Sequence, residues 1–217
     1  MRIVNTLHTY MTIWDIFQNV LDALRDSSWP ERIAVVFSVT QVLLSKNNKA
    51  SNYVFGILSI SLTISVLYGA KLYAEILLNL YYLVMSFYGL WYWRSKINRI
   101  PVQISMATKR EWRVVGVIVV LGYAILVFVL TRFTDSDVPM LDAIVSSTAW
   151  AGMWLMAKRK LENWVLLNIS NAIAIPLMFY KGLFLFAFLT IFLFIIAVLA
   201  YFQWKRMLKE QEGNYGF

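Results

Sequence analysis

The sequence predicts an all-α membrane protein: seven transmembrane helices in a 3+1+3 parallel repeat, with an amphipathic helix ahead of them. Three observations carry that prediction. Of the 217 residues, 60% are hydrophobic and only 15% are charged, with a mean hydropathy of +0.62. Soluble domains run nearer 45–50% apolar and about 25% charged. The uncharged runs have the length of a bilayer crossing. The chain also matches itself at a constant offset.

The runs come first. A helix needs roughly 17–25 apolar residues to cross a bilayer. Uncharged stretches of about that length lie at 50–70, 76–93, 114–131, 163–180 and 182–204. Two shorter ones, 33–45 and 143–157, reach span length if Arg32, Lys46, Lys158 and Arg159 snorkel to the interface. Backbone polar groups cannot be left unpaired in lipid, so all seven spans are expected to be helical.

Orientation follows from the cations. Lys46 and Lys49 follow span one, and Arg94, Lys96, Arg99, Lys109, Arg110 and Arg113 follow span three. Lys158, Arg159 and Lys160 follow span five, and Lys205, Arg206 and Lys209 follow span seven. The alternate loops are poor in cations. The rich segments fall on one side, which the positive-inside rule assigns to the cytoplasm, with the C-terminus there too. This placement also explains the net charge of +8 without invoking nucleic acid. Residues 1–30 place Ile3, Leu7, Tyr10, Met11, Trp14, Phe17, Leu21 and Leu24 at helical spacing, with polar residues between. They read as an amphipathic helix on the outer interface, with an eighth span as the rival reading. No signal peptide is expected, because Asp15 and Asp22 interrupt the first apolar stretch.

The offset is 111 residues, without gaps. Glu31 falls on Asp142, Lys49 on Lys160, Asn52 on Asn163 and Tyr53 on Trp164. Ser59 falls on Ser170, Trp93 on Trp204 and Arg94 on Lys205. Spans one to three therefore repeat as spans five to seven, with span four as a linker. An odd linker leaves both halves running the same way. Such repeats are a recurring plan of transporters, with the substrate site near the midplane between halves. The expected units are the interfacial helix 1–30, a first triple-helix repeat 31–96, and a loop with linker helix 97–135. A second repeat 136–208 and a cytoplasmic tail 209–217 complete the chain.

Several chemistries are excluded. There is no cysteine and one histidine, His8, so neither disulfides nor a thiolate or His-rich metal site can form. No phosphate-binding G-x-x-x-x-G-K-[ST] loop is present. No span interior holds Asp, Glu, Lys or Arg, whereas proton- and ion-coupled carriers usually bury carboxylates at depth. No cofactor is expected. What the interiors do hold is uncharged: Gln41, Asn79, Ser86, Asn168, Ser170 and Asn171. Any one of these alone reads as inter-helix glue. Together with mid-span aromatics such as Tyr82 they read as a cage that stacks on a flat ring and hydrogen-bonds its substituents. Trp91, Trp93 and Trp204, beside Arg94 and Lys205, read as an inner interfacial belt.

The segment YAEILLNLYYLVMSFYGLWYW resembles the third-span signature of the PnuC family of vitamin transporters: an acidic residue, N-x-x-Y, Y-G and a Trp. Here these are Glu75, Asn79, Tyr82, Tyr88, Gly89 and Trp93. AKRKLENWVLLNISNAIAIPLMFYKGL resembles the sixth-span signature E-x-W-x-x-W-x-x-x-[DN], at Glu162, Trp164 and Asn171, with Leu167 in place of the second Trp. VPMLDAIVSSTAWAGMWLMAKRK is similar to the family's fifth span. The resemblance covers about residues 31–206. It implies a SWEET-like fold and facilitated uptake of a vitamin-like nucleoside, chiefly nicotinamide riboside, trapped afterwards by a cytoplasmic kinase. Thiamine, also an aromatic cation, is the in-family alternative. A non-transporting assembly protein or a membrane enzyme is the alternative of another class.

Residues and resemblance together give an expected substrate set of Gln41, Asn79, Tyr82, Ser86, Tyr88, Trp154, Trp164, Asn168 and Asn171. Glu75, Gly89, Glu162, Pro176 and Gly182 are expected to shape or gate it. The expected partners are the vitamin and the lipid bilayer of a bacterial inner membrane, with a homo-oligomer allowed.

Overall fold

A computed structural model describes residues 27–69, 73–97 and 100–214, together with Trp14, Gln18, Val20, Leu21, Asp22 and Arg25. Among these the chain is helical almost throughout. Helices α1 (Trp29–Lys46), α2 (Asn52–Gly69) and α3 (Tyr73–Arg94) are followed by a hairpin of β1 (Lys96–Ile97) and β2 (Ile100–Pro101). Then come α4 (Lys109–Phe133), α5 (Pro139–Ala157), α6 (Asn163–Tyr180) and α7 (Phe184–Asn214). Most of the interfacial helix expected over 1–30 lies outside the described residues; its described members before Ser27 are helical.

The helix ends are written in the sequence. Ser28 and Glu31 form a capping box at the start of α1, and Thr108 and Glu111 form one at the start of α4. Proline stands in the first turn of α1 and of α5, where its missing N–H leaves no helical bond unmade. Among the described residues, four helices are long and apolar enough to cross a membrane: Asn52–Gly69, Lys109–Phe133, Asn163–Tyr180 and Phe186–Gly213. The other three, α1, α3 and α5, carry the polar residues that lower their hydropathy. These include Gln41 in α1, Asn79 with its tyrosines in α3, and the Ser-Ser-Thr run of α5.

Packing is sequential within each half: α1 on α2 on α3, and α5 on α6 on α7. The halves meet twice, α3 against α5 and α1 against α7, so six helices close into a ring. Helix α4 stays outside, against α5. It buries Val115, Gly122, Leu126 and Leu130 and turns Val117, Val120, Leu121, Ile125 and Phe128 outward. That outward apolar stripe is what a lipid-facing surface requires.

The two halves repeat each other bond for bond at the 111-residue offset. Ser59 Oγ donates to the Ala34 carbonyl at 2.8 Å, and Ser170 Oγ to the Val145 carbonyl at 2.8 Å. Asn52 Nδ2 donates to the Lys49 carbonyl at 2.7 Å, and Asn163 Nδ2 to the Lys160 carbonyl at 2.6 Å. Tyr53 meets Trp93 edge-on at 5.2 Å, and Trp164 meets Trp204 edge-on at 5.6 Å. The contacts between halves are reciprocal as well. Trp93 Nε1 donates to the Met156 carbonyl, and Trp204 Nε1 to the Ser45 carbonyl, both at 3.1 Å.

That geometry corrects one expectation. Trp93 and Trp204 are not interfacial belt residues; they are buried at the junction of the halves, 4% and 0% exposed. Neighbouring cations gave the wrong signal, because a helix-end Trp can turn either to lipid or to the axis. Trp91, 66% exposed, does face outward as a belt residue would. A second difference concerns residues 209–214. They continue α7 without a break, with only an exposed Arg206–Glu210 pair at 3.7 Å along the extension; such pairs contribute little.

Candidate functional site

The widest aromatic surface inside the ring is built on α3. Its periodicity turns Tyr81, Tyr82 and Met85 inward, one helical turn apart or adjacent. Tyr81 stacks on Trp150 of α5 at 4.7 Å and 24°, and its hydroxyl donates to the Trp150 carbonyl at 2.9 Å. Tyr82 lies edge-on to Tyr81 at 6.0 Å. Tyr82, Met85 and Leu167 pack on a buried cluster that contains Tyr53, Trp93, Met153, Met156, Trp164 and Trp204. The cluster thus joins α3, α5, α6 and α7.

Three polar groups on these helices are buried and find no acceptor among the described residues: Ser86 Oγ on α3, Trp164 Nε1 on α6, and Trp150 Nε1 on α5, whose ring also packs toward α4 beside Gly122 and Leu126. A buried donor left unpaired costs about 1–3 kcal/mol. Each is a donor that a carbonyl or hydroxyl oxygen would satisfy. No Asp, Glu, Lys or Arg stands between Ile76 and Trp93 or between Asn163 and Tyr180.

The predicted residues divide by place. Tyr82 and Trp164 come together in this core, and Ser86 is buried one turn beyond Tyr82 on α3. Asn79, half-buried, is one turn before Tyr82 on α3, and Asn171 is half-buried on α6. Asn168 turns toward α7. With its amide nitrogen facing the Phe194 carbonyl, it lies 3.1 Å from that oxygen and its own oxygen 3.3 Å from the Val198 N–H. Asn168 also lines an apolar groove of about 340 Å³ between α6 and α7, with Trp164, Ile169, Phe194, Val198 and Tyr201. Gln41 lays its amide over Gly56. Trp154 packs outward against α4, with Val115, Ala151, Leu155 and Leu166.

Tyr88 is drawn to the end of the ring. It stacks on Tyr92 at 5.8 Å, and the Lys158 ammonium sits 5.1 Å from the Tyr92 ring and 5.8 Å from the Tyr88 ring. Burial lowers the Lys158 pKa, but the hydrogen bond with the Tyr88 hydroxyl and the nearby Tyr88, Tyr92 and Glu111 together outweigh it and hold the ammonium above its ordinary value.

The shaping residues have definite jobs. Gly89 makes room for the Tyr53 ring. Glu162 accepts the Ala107 N–H with both oxygens, at 2.9 and 3.0 Å. Gly182 takes a left-handed φ of +71° in the α6–α7 turn, and Pro176 is exposed within α6. Glu75 lies in the first turn of α3, and its side chain is outside the described set. Among the residues sequence reasoning passed over, Tyr81 and Trp150 stand out. Their signal was present: Tyr81 adjoins Tyr82, and Trp150 lies mid-span in TAWAGMW, too deep for a belt.

Six packed helices around an aromatic core, with apolar helices turned outward, define a multi-pass α-helical membrane protein. The family model described as "Nicotinamide mononucleotide transporter" matches residues 28–206, and the chain belongs to that family, one of transporters rather than enzymes. Among its relatives is a nicotinamide riboside transporter PnuC of Neisseria mucosa, 28% identical over 210 residues, covering 91% of this chain and 80% of that one. The nicotinamide riboside transporter PnuC of Escherichia coli is 21% identical over 212 residues, covering 86% and 89%. A solved structure, the crystal structure of the vitamin B3 transporter PnuC, matches with a TM-score of 0.66 and 27% identity, covering 90% of this chain and 88% of that one.

Proposed function

We propose that this chain takes up nicotinamide riboside by facilitated diffusion, with a cytoplasmic kinase trapping the product. The observation that carries the reading is the aromatic cluster in which Tyr82, Met85 and Leu167 pack on Trp164, bordered by the Tyr81–Trp150 stack, with buried unpaired donors on Ser86, Trp150 and Trp164. Nicotinamide riboside is a flat pyridinium cation bearing a carboxamide and a ribose. Its ring gains about 0.5–2 kcal/mol over an aromatic face, and its oxygens answer the donors. The family description names the mononucleotide, whose phosphate demands a cation. The mid-spans of α3 and α6 supply none, which favours the riboside named by the relatives.

Seven spans in a 3+1+3 plan suit this reading, with α1–α3 and α5–α7 as halves that rock about the core and α4 as linker. The reciprocal Trp93 and Trp204 bonds support that symmetry. The charge pattern supports a cytoplasmic C-terminus in a bacterial inner membrane. Asn79, Tyr82, Ser86 and Trp164 form the substrate set in this account, with Gln41, Asn168 and Asn171 around it. The test is uptake of labelled nicotinamide riboside into proteoliposomes lacking ATP and ion gradients, beside thiamine, riboflavin and nicotinamide mononucleotide. Saturable riboside uptake alone is expected; preferential thiamine uptake would instead mark Leu167 as the residue of a changed pocket.

A further inference from the structure

The turns after α1, α5 and α6 are one and the same helix stop. In the first, the Lys49 N–H reaches the Leu44 carbonyl and the Asn48 N–H the Ser45 carbonyl. In the second, the Lys160 N–H reaches Leu155 and the Arg159 N–H reaches Met156; in the third, Leu183 reaches Met178 and Gly182 reaches Phe179. This motif puts one residue in the left-handed region, ordinarily glycine and sometimes asparagine. The third turn uses Gly182 and the first Asn48, at φ 56°. The second uses Arg159, at φ 60°. Arginine gains nothing from that backbone and strains it by roughly 1–2 kcal/mol, so the side chain must be what the position needs.

The side chain reaches across the junction of the halves. Arg159 Nε donates to Asn48 Oδ1 at 2.8 Å and an Nη donates to the Asn48 carbonyl at 3.3 Å. Asn48 is its own counterpart at the 111-residue offset. The other Nη donates to the Val102 carbonyl, and the guanidinium lies 4.5 Å from the Trp93 ring. Beneath it, Ser45 Oγ meets Met156 Sδ at 3.4 Å, again two offset-related positions. Residues 102–107 are tied to the second half's turn: Ser105 N–H to the Arg159 carbonyl at 3.2 Å, Leu161 N–H to the Ser105 carbonyl at 3.0 Å, and Ala107 N–H to Glu162. They insert Ile104, 2% exposed, into the cluster holding Trp93 and Trp164. No such strap lies on the first half's turn among the described residues.

We infer that Asn48 and Arg159 are the latch of a gate at the cytoplasmic end of the ring, and that residues 102–107 are its leaf, carried with the second half. The inference rests on the transport reading above. When the halves part on that side, the Arg159–Asn48 bonds break, Ile104 leaves Trp93, and the core opens to the cytoplasm.

The chain has no cysteine, so an introduced one is unique. Ser45→Cys places it at the junction, where the native side chain is 1% exposed. In nanodiscs its labelling by a hydrophilic maleimide reports opening and needs no substrate. Arg159→Gly, which relieves the backbone strain and so folds, should speed labelling by about tenfold or more, as loss of charge-assisted bonds implies; Asn48→Ala should do the same. Unchanged labelling in both variants overturns the latch. With the latch intact, Ser45→Cys combined with Met156→Cys, bridged by a short bifunctional thiosulfonate, should stop riboside flux, and reduction should restore it. Flux that persists through full bridging, or that reduction fails to restore, also overturns it. If the unbridged protein moves no riboside at all, the substrate reading fails, while the labelling result still decides the latch.

Discussion

A Cβ added at Gly89 would lie 2.3 Å from Cζ of Tyr53, closer than any real contact. The seat of α3 on α2 at this level therefore depends on residue 89 having no side chain. Tyr53 cannot easily yield, since it is wholly buried and its hydroxyl donates to the Met156 carbonyl at 3.1 Å across the junction.

Gly89→Ala should destabilise the protein by about 1–3 kcal/mol, the usual cost of overpacking a core. Gly152→Ala should act in the same direction, because its Cβ would meet the Leu167 side chain at 3.0 Å and the Leu167 backbone nitrogen at 3.2 Å. Gly116→Ala is the contrast. Nothing lies within 4 Å of its Cβ, so it should be neutral or stabilising by up to about 1 kcal/mol through helix propensity. Thermal unfolding of the purified variants in detergent reads all three.

Ser59→Ala and Ser170→Ala remove the same hydrogen bond from the two halves, each 2.8 Å long and buried. Each should cost about 1 kcal/mol, and the double variant should show the sum, since the sites share no partner. A large cost for one and none for the other, in the same unfolding assay, would contradict the equivalence of the halves.

Asn79→Leu and Trp164→Ala should each abolish riboside binding while the protein stays folded, as judged by elution profile and unfolding midpoint. Lys158→Ala should leave binding nearly intact. Its ammonium lies over the Tyr88 and Tyr92 rings toward the end of α3, more than one helical turn beyond Tyr82. Calorimetric titration of the three variants separates the cases; normal binding by both of the first two places the site elsewhere.

Much of the frame was legible. The uncharged runs located helices α1 to α7, because hydrophobic length is a local property of the chain. The 111-residue offset was legible because it rests on polar residues with fixed duties, such as Ser59 and Asn52, which bond the backbone of their own half. Side-chain direction was less so. Trp93 and Trp204 sit next to cations yet turn to the axis, and Trp154 turns to α4, because only the neighbouring helix decides which face is inner. The 102–107 strap was invisible, since its partners lie 54 to 57 residues away in a turn and its own sequence is short and ordinary. Of the candidate site, Tyr82 and Ser86 were legible as mid-span polar and aromatic residues, and Trp164, the second residue of α6, through the sixth-span resemblance. Tyr81 and Trp150 needed the packing of α3 on α5.

The most direct test of the whole account is calorimetric titration of purified, well-folded protein with nicotinamide riboside, nicotinamide mononucleotide, thiamine and riboflavin in parallel. Saturable binding of the riboside, with at least a tenfold preference over the mononucleotide (about 1.4 kcal/mol), is the predicted result, because the mid-spans of α3 and α6 offer rings and neutral donors and hold no cation for a phosphate. Equal or tighter binding of the mononucleotide, or no riboside binding at all, would contradict it.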